Sequence, residues 1–435
     1  MFEKVKKVMG SFLESSTPNL SYIKYVDNGG NELEQEEIIF TAPTIFDNRK
    51  VQSEGEETER KYTVSTPGVE YIFDEVGNFP IALKTRDGEV LYQKISAKTG
   101  EILPVHAGCC KSLDIIYAGA PSAGKTVHTV QMSDPLFHDA LARDTGCSFE
   151  DDWPLGSDEK KFYENARKDL RQHKLPGATK RDQSIPPAIF HVTYMEKLQE
   201  QKHILVRLQD MAGESWLNCP KKNQYGYIFF MIGADELIEG EMEESPKYKE
   251  VFDNLMFGEK NLSKKRNYEL MLIITKADLL DREDPNLETA FEKNSVFVDN
   301  GKLYQDIHGE GFDYQAFDNR GRCVQTFLKE QCPNFSNRLI NNGLQKHIKF
   351  SMIASIGESS EMGGEFQEYK PFCIDEPVLS VLADQGMYPV AVSGEKIEVE
   401  MVQGKGTGLS EIFKQSISKL QLEEIEKDMD QYEEE

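Results

Sequence analysis

Eight consecutive residues, Gly119 to Thr126, complete the pattern G-x-x-x-x-G-K-S/T directly after the apolar run Leu113–Ala118. In such a pattern the glycines let backbone N–H groups point at phosphate oxygens, the lysine neutralises the β- and γ-phosphates, and the threonine hydroxyl can ligate Mg²⁺. A helix over Val127–Met132 would direct its N-terminal dipole at the same anion. The pattern predicts a phosphate-binding loop; a glycine-rich turn without a ligand is the alternative. The residues expected to contact the phosphates are Gly119, Ala120, Pro121, Ser122, Ala123, Gly124, Lys125, Thr126 and Val127.

A second motif, Asp210-Met211-Ala212-Gly213, follows the β-type run His203–Gln209. An aspartate at the end of the strand beside the phosphate-loop strand can hold magnesium through water, and a glycine N–H three residues later can contact a γ-phosphate and move away when it leaves. We therefore expect Asp210 beside Mg²⁺ and Gly213 beside the phosphate. An ordinary Asp-x-x-Gly turn is the alternative.

A third motif, Thr275-Lys276-Ala277-Asp278, follows the apolar run Leu270–Ile274. The Asp278 carboxylate can accept hydrogen bonds from the guanine N1–H and exocyclic amine, a donor pair that adenine lacks, while the Lys276 stem can lie along the base. The motif predicts selectivity for guanine nucleotides, with Thr275, Lys276 and Asp278 at the base. Simple capping of the following turn is the alternative.

Strands and helices alternate around these motifs. The runs Ala188–Tyr194 and His203–Leu208 are joined by a short charged stretch, which predicts an antiparallel hairpin. The other strand candidates span 227–232, 270–274 and 348–353, and the main helix candidates span 158–173 and 321–340. This alternation predicts an α/β fold, a mostly parallel sheet with helices on both faces and with ligands at the carboxyl ends of its strands.

Composition limits the partners. The 435 residues carry a formal net charge of −25, which argues against a general nucleic-acid or anionic-membrane surface. The seven cysteines form no C-x-x-C pair and predict reduced, mostly core-filling thiols rather than a disulfide framework or a zinc site. No apolar run is long enough to span a membrane, and no signal peptide is recognisable, so we expect a cytoplasmic protein.

The chain divides into three predicted parts. Residues 1–110 comprise a short amphipathic helix over 1–13 and a small β-rich domain with hairpins. Residues 111–388 form the nucleotide-binding domain, with insertions at about 133–181 and 281–320. Residues 389–435 are a carboxyl-terminal extension that ends in an acidic amphipathic helix.

With three motifs in this order, the chain resembles the P-loop GTPases of the Ras and translation-factor class over about 112–388. The antiparallel strand before Asp-x-x-Gly is a feature of that class. More narrowly, the segments Asp210–Glu214, Leu175–Thr179 and Glu376–Leu379 are similar to bacterial double-GTPase-type proteins, which occur in multi-gene conflict or defence-associated systems.

The resemblance implies roles for three further residues. Thr179 takes the place of the switch threonine that ligates Mg²⁺ when a γ-phosphate is present, with Thr145 and Thr193 as rivals. Glu214 stands where many relatives have a glutamine or histidine that orients the attacking water; its charge beside the γ-phosphate predicts slow hydrolysis unless a partner supplies a cation. Ser355 lies in the loop that touches guanine through its backbone in this class, or in an ordinary strand-end turn.

Together these expectations describe a Mg·GTP-dependent switch that hydrolyses GTP to GDP and phosphate. Lys125, Thr179 and Glu214 are the catalytic candidates, and Thr126, Thr179 and Asp210 are the metal ligands. The flanking regions predict a protein partner or self-association. A GTP-binding scaffold with little turnover is the alternative function, and an ATP-dependent P-loop enzyme is a more distant one.

Overall fold

The computed structural model describes most of the amino-terminal and central chain. The described residues are 22–27, 31–42, 61–74, 79–120, 122–142, 145–153, 158–176, 185–195, 201–210, 226–238, 268–280, 296–299, 302–305, 311–341, 348–356, 366, 369 and 371–391. The predicted helix over 1–13 and the carboxyl-terminal extension beyond residue 391 lie outside these ranges.

Seventeen strands lie within the described residues. They are β1 (Tyr25–Val26), β2 (Glu32–Leu33), β3 (Ile38–Thr41), β4 (Glu70–Ile72), β5 (Ala82–Lys84), β6 (Val90–Leu91), β7 (Gln93–Ser96), β8 (Ile102–Leu103), β9 (Lys111–Gly119), β10 (Cys147–Asp151), β11 (Ala188–Tyr194), β12 (Lys202–Asp210), β13 (Gly226–Gly233), β14 (Tyr268–Thr275), β15 (Val296–Asp299), β16 (Lys302–Gln305) and β17 (Ile348–Met352).

Seven α-helices accompany the strands in the described part of the chain. They are α1 (Lys125–Met132), α2 (Pro135–Ala142), α3 (Asp158–Arg171), α4 (Ala234–Ile238), α5 (Tyr314–Gln331), α6 (Pro333–Asn341) and α7 (Glu376–Asp384). None of them is both long enough and apolar enough to cross a membrane.

The main element is a seven-stranded sheet in the order β10-β11-β12-β9-β13-β14-β17. Strands β12, β9, β13, β14 and β17 run parallel to one another, whereas β11 pairs antiparallel with β12 and β10 antiparallel with β11. The predicted hairpin and the mostly parallel sheet are therefore confirmed. Strands β13 and β14 are almost entirely apolar because a central strand of such a sheet is buried on both faces. The fold is mixed α/β.

Different parts of the chain pack against the two faces of the sheet. On one face, the Tyr117 hydroxyl of β9 lies 3.0 Å from His128 Nδ1 of α1. On the other face, Arg207 of β12 forms a buried ion pair with Asp114 of β9 and donates to the Tyr25 hydroxyl of β1 at 3.1 Å. The amino-terminal strands thus pack against this second face, and its coverage by helices stays a prediction.

The amino-terminal region is β-rich, as predicted. Strands β3, β7 and β8 form one antiparallel sheet, β4, β5 and β6 form another, and β1 pairs with β2. The turn signal at Gly88, which has a φ of 85°, connects β5 to β6. Buried side chains of this region and of β9 belong to one hydrophobic cluster, so the two parts share a core. The boundary at residue 110 stays a prediction.

The predicted insertion over about 133–181 contains two elements that its sequence did not indicate, α2 and the edge strand β10. In β10, Cys147 and Phe149 are buried, whereas Ser148 and Glu150 are polar. That alternation over only five residues is a weak signal. The helix predicted over 321–340 begins earlier, at Tyr314, where Asp313 caps it, and ends before Pro333, whose ring starts the separate helix α6.

Candidate functional site

The three motifs meet at one edge of the large sheet. Because β12, β9, β14 and β17 are parallel, their carboxyl ends lie on the same side, which we call the carboxyl-terminal edge. Gly119 ends β9, Asp210 ends β12, and Thr275 ends β14. The sheet topology therefore brings together residues that are far apart in sequence.

The phosphate loop has the backbone that its pattern predicts. Gly119, Ser122 and Gly124 have positive φ angles of 142°, 69° and 77°, and α1 begins at Lys125 immediately after them. A Cβ atom at Gly119 would lie 2.3 Å from the Met231 carbonyl oxygen of β13, so only glycine fits between the two strands. Left-handed residues set among right-handed ones can direct backbone N–H groups toward an anion.

Lys125 folds back over this loop. Its Nζ donates to the carbonyl oxygens of Gly119 at 3.1 Å and Ala120 at 2.8 Å, and the residue is only 9% exposed. Burial lowers the pKa of the Lys125 ammonium group, while the Asp210 and Glu236 carboxylates oppose that effect. An ammonium group held over the loop by two carbonyls is positioned to neutralise a polyphosphate there.

Thr126 and Asp210 come together beside the lysine. The Thr126 hydroxyl donates to Asp210 Oδ2 at 2.6 Å, joining the first turn of α1 to the end of β12. Burial raises the pKa of the Asp210 carboxyl, and the charge on Lys125 and this hydrogen bond lower it again. Hydroxyl and carboxylate oxygens are the donors that Mg²⁺ prefers. These residues fit a magnesium ion, which would supply positive charge to bound phosphates.

The third motif lies directly against the phosphate loop. A methyl group on Gly124 would be 3.8 Å from Cβ of Thr275. Thr275 is buried and donates through its hydroxyl to the Ile232 carbonyl at 3.2 Å, which fixes the end of β14 to β13. Asp278 follows in a single 3-10 turn, Ala277–Leu279, and is half-buried. The loop thus holds Asp278 at the same edge as the phosphate loop.

Lys276 has a partner that the sequence motif did not indicate. Its backbone is left-handed, with a φ of 56°, and its ammonium group forms an ion pair with Asp235 at the start of α4. This ion pair orients the aliphatic stem of Lys276, while the ammonium group is paired with Asp235 rather than with a ligand. Because Asp235 is 41 residues away in sequence, only the parallel pairing of β13 with β14 brings the two together.

The loop after β17 completes this edge. The Ala277 N–H donates to the Ile353 carbonyl at 3.1 Å, which places the residues before Ser355 beside the third motif. The Ser355 carbonyl accepts a hydrogen bond from the side chain of Gln131 on α1, and the buried Ser355 hydroxyl has no hydrogen-bond partner among the described residues. Gln131, a residue outside every motif, therefore links the phosphate-loop helix to this loop.

Several predicted site residues lie outside the described ranges or elsewhere in the fold. Pro121, Thr179, Gly213 and Glu214 lie outside the described residues. The two rival threonines do not approach the site in the described chain. Thr145 donates to carbonyls at the end of α2. Thr193 pairs with His203, at the opposite end of β12 from Asp210.

Comparisons with known proteins give distant likenesses. No protein-family model and no curated protein sequence matches the chain. Among solved structures, it is similar to the GTPase-like domain of Ski7 from S. cerevisiae bound to GTP, with 12% identity over 67% of this chain and 52% of that one, and a TM-score of 0.29. It is also similar to Sup35 complexed with GDP, with 8% identity over 57% of this chain and 38% of that one, and a TM-score of 0.18. The match thus spans about half the length of the Ski7 structure and less of Sup35.

Proposed function

We propose that the protein binds a guanine nucleotide with Mg²⁺ at the carboxyl-terminal edge of its large sheet and hydrolyses GTP as a molecular switch. The observation that carries this proposal is the contact of 2.6 Å between Thr126 and Asp210 beside Lys125. A phosphate loop, an ammonium group over it and two oxygen ligands for magnesium form the arrangement that a nucleoside triphosphate requires.

The choice of guanine depends on the third motif. Asp278 lies in a turn whose preceding residue, Ala277, is hydrogen-bonded to the loop after β17, and Thr275 lies next to Gly124 of the phosphate loop. A nucleotide whose phosphates occupy the phosphate loop would therefore extend its base toward Asp278. A carboxylate there attracts the paired N–H donors of guanine and repels the acceptor at the corresponding position of adenine.

The switch and hydrolysis steps rest on residues beyond the described ranges. In the proposal, Thr179 and Gly213 contact the γ-phosphate and change position when it is lost. Glu214 accepts a hydrogen bond from the attacking water, but its charge opposes the build-up of negative charge in the transition state. Basal hydrolysis is therefore slow, and a cation from a second protein accelerates it.

We also propose a biological context for this activity. The net negative charge of the chain attracts a basic partner or a basic region of another copy. Together with the similarity of the segments around Asp210, Leu175 and Glu376 to bacterial double-GTPase-type proteins, this favours a role in a bacterial multi-component system, such as a defence system, in the cytoplasm.

Calorimetry with GDP, GTP, ADP and ATP in the presence of Mg²⁺ tests the binding part. We expect clear heats of binding for the two guanine nucleotides and little for the adenine nucleotides. Equal affinity for GDP and ADP would contradict guanine selectivity and favour an ATP-dependent enzyme. Single-turnover hydrolysis of bound GTP then separates a slow GTPase from the alternative, a GTP-binding scaffold, because a scaffold would leave the GTP intact. The negative charge of Glu214 beside the γ-phosphate also favours the scaffold.

A further inference from the structure

A second group of ligand-type side chains lies at the opposite end of the same strands. Cys110 immediately precedes β9, His203 lies at the start of β12, and His191 is on the adjacent strand β11. One ligand atom from each of these residues lies within 4.8 Å of the others. Gly119 and Asp210 are seven to nine residues farther along β9 and β12, which is about 25 Å at the rise of a strand. This cluster is therefore separate from the nucleotide site.

The spacing of the two imidazoles suits a shared cation. His191 Nε2 and His203 Nδ1 face each other at 3.4 Å. Two nitrogens that are each about 2.0–2.1 Å from a tetrahedral zinc ion lie roughly 3.3–3.4 Å apart. The same separation is at the long end of the range for a direct hydrogen bond. The two rings are thus already placed as a pair of zinc ligands.

The burial of the three residues suits a structural metal site. Cys110 and His191 are buried, and His203 is half-buried. Imidazole nitrogen and thiolate sulfur are the usual protein ligands of zinc, and a cysteine thiol loses its proton when the metal binds.

A neighbouring histidine, His106, packs against His191. The His106 ring stacks on the His191 ring, with centroids 3.7 Å apart. The His106 ring is held by two carboxylates: Asp152 Oδ1 lies 2.7 Å from its Nδ1, and Asp74 Oδ2 lies 3.2 Å from its Nε2. Asp74 and His106 also have ligand atoms within 4.8 Å of one on His191. Asp74 and His106 thus form a second group, which shares only His191 with Cys110 and His203.

The adjacent Cys109 has a different environment. The buried ammonium group of Lys94 lies 3.8 Å from Cys109 Sγ and donates to the carbonyls of Val105 at 2.6 Å and Ala107 at 2.9 Å. Cys109 is not a member of either ligand group in the described chain. Cys109 thus lies beside the Lys94 ammonium group, whereas its neighbour Cys110 lies beside the histidine pair.

We propose that Cys110, His191 and His203 bind a structural zinc-class metal ion, with water in the fourth position. One thiolate and two imidazoles select zinc over the hard cations Mg²⁺ and Ca²⁺. Because Cys110 precedes β9 and the two histidines lie on β11 and β12, the metal would tie three neighbouring elements together. The proposal does not depend on the nucleotide site.

The test uses the full chain, depleted of metal with a chelator and then titrated with Zn²⁺ and Co²⁺ in excess Mg²⁺. We expect about one tightly held ion per chain and, with cobalt, a thiolate-to-metal charge-transfer band. Cys110→Ser should remove the band and lower zinc affinity at least tenfold, whereas Cys109→Ser, the matched control, should keep both. GDP binding should be unchanged in the two variants.

Three outcomes would overturn the proposal. They are an unaltered chain that retains no zinc after removal of excess metal, a cobalt complex without a thiolate band, and loss of the band in Cys109→Ser but not in Cys110→Ser. The first two need no variant, so they hold even where Cys110→Ser fails to fold. His203→Gln, which keeps a polar side chain at the half-buried end of β12, should weaken zinc binding without removing the thiolate band.

Discussion

The Thr126 hydroxyl donates to the Asp210 carboxylate at 2.6 Å, although the two residues are 84 positions apart in sequence. The contact joins α1 to the strand beside the phosphate-loop strand, so the fold itself brings the two side-chain oxygens together. Burial raises the pKa of Asp210, while Lys125 and Thr126 hold its charge in place. A divalent cation at this point would relieve the cost of burying that charge.

Removal of the Asp210 charge should remove the magnesium dependence of nucleotide binding. In Asp210→Asn, the amide keeps the size of the side chain but lacks the charge that attracts Mg²⁺. We expect the affinity of the parent protein for GTP to fall at least tenfold when EDTA replaces Mg²⁺, and that of Asp210→Asn to change little. Titrations with a fluorescent GTP analogue measure both. Thr126→Ser, which retains the hydroxyl, is the control and should behave as the parent protein does. If Asp210→Asn shows the full effect of magnesium on GTP affinity, Asp210 is excluded from the metal site.

Much of this edge was predictable because its motifs are local. The spacing of Gly119, Gly124 and Lys125 specifies a strand, a left-handed turn and a helix within a few residues, and the structure has all three. The apolar runs of β13 and β14 predicted central parallel strands for the same reason. Local patterns of this kind do not depend on the rest of the fold.

The contacts between motifs were not predictable. The ion pair of Lys276 with Asp235 and the hydrogen bond from Gln131 to the Ser355 carbonyl depend on strand order, which sequence spacing does not encode. The cluster of Cys110, His191 and His203 was not predictable for the same reason. Paired cysteines along the chain are the usual sequence signal of a zinc site, whereas these residues meet across three neighbouring elements.

Replacement of Lys125 should weaken triphosphate binding more than folding. Lys125→Met keeps most of the aliphatic stem but loses the charge and the hydrogen bonds to Gly119 and Ala120. We expect GTP affinity to fall at least a hundredfold, because the charge that neutralises the phosphates is gone. The free energy of unfolding without nucleotide should fall by only about 1–2 kcal/mol. Urea unfolding and calorimetry measure the two effects, and a variant that is unfolded in the absence of nucleotide would make Lys125 a structural residue.

The base preference should depend on Asp278. In Asp278→Asn, the amide presents a donor where guanine also presents donors, so guanine affinity should fall by about 2–4 kcal/mol while the weak binding of adenine nucleotides changes little. Competition of GDP, ADP and xanthosine diphosphate against a fluorescent nucleotide measures the order of preference. Xanthine carries an oxygen in place of the guanine amine and should gain relative to guanine. Unchanged guanine preference in the variant would remove Asp278 from the base site.

Glu214 should restrain hydrolysis rather than drive it. Glu214→Gln removes the negative charge beside the γ-phosphate but keeps a side chain that can orient water. We expect the single-turnover rate of GTP hydrolysis to stay the same or rise by up to about tenfold, with GTP affinity unchanged. Glu214→Ala, which can neither orient water nor repel the phosphate, is the comparison and should be slower than Glu214→Gln. A steep fall in rate for Glu214→Gln at unchanged affinity would identify Glu214 as a general base.

Acid should destabilise the protein through His128, the buried histidine of α1. Its Nε2–H donates to the Ile374 carbonyl at 2.7 Å, its Nδ1 accepts from the Tyr117 hydroxyl at 3.0 Å, and burial lowers its pKa from 6.5 to about 4. Because the folded pKa is depressed, the neutral ring stabilises the fold fully above pH 6.5, and this contribution is lost as the pH falls from 6.5 toward 4. The loss is on the order of 3 kcal/mol.

Urea unfolding between pH 7 and pH 4 tests this assignment. We expect His128→Gln to be less stable than the parent at pH 7 but to lose less stability on acidification, since one proton fewer is bound on unfolding. Tyr117→Phe is the matched control, because it removes one hydrogen-bond partner of His128 but leaves the buried imidazole in place. Its free energy of unfolding should be lower at every pH, and its dependence on pH should remain close to that of the parent. Parallel pH curves for the parent and His128→Gln would assign the acid sensitivity to other buried histidines, of which His191 is the strongest candidate because its pKa is lowered to about 3.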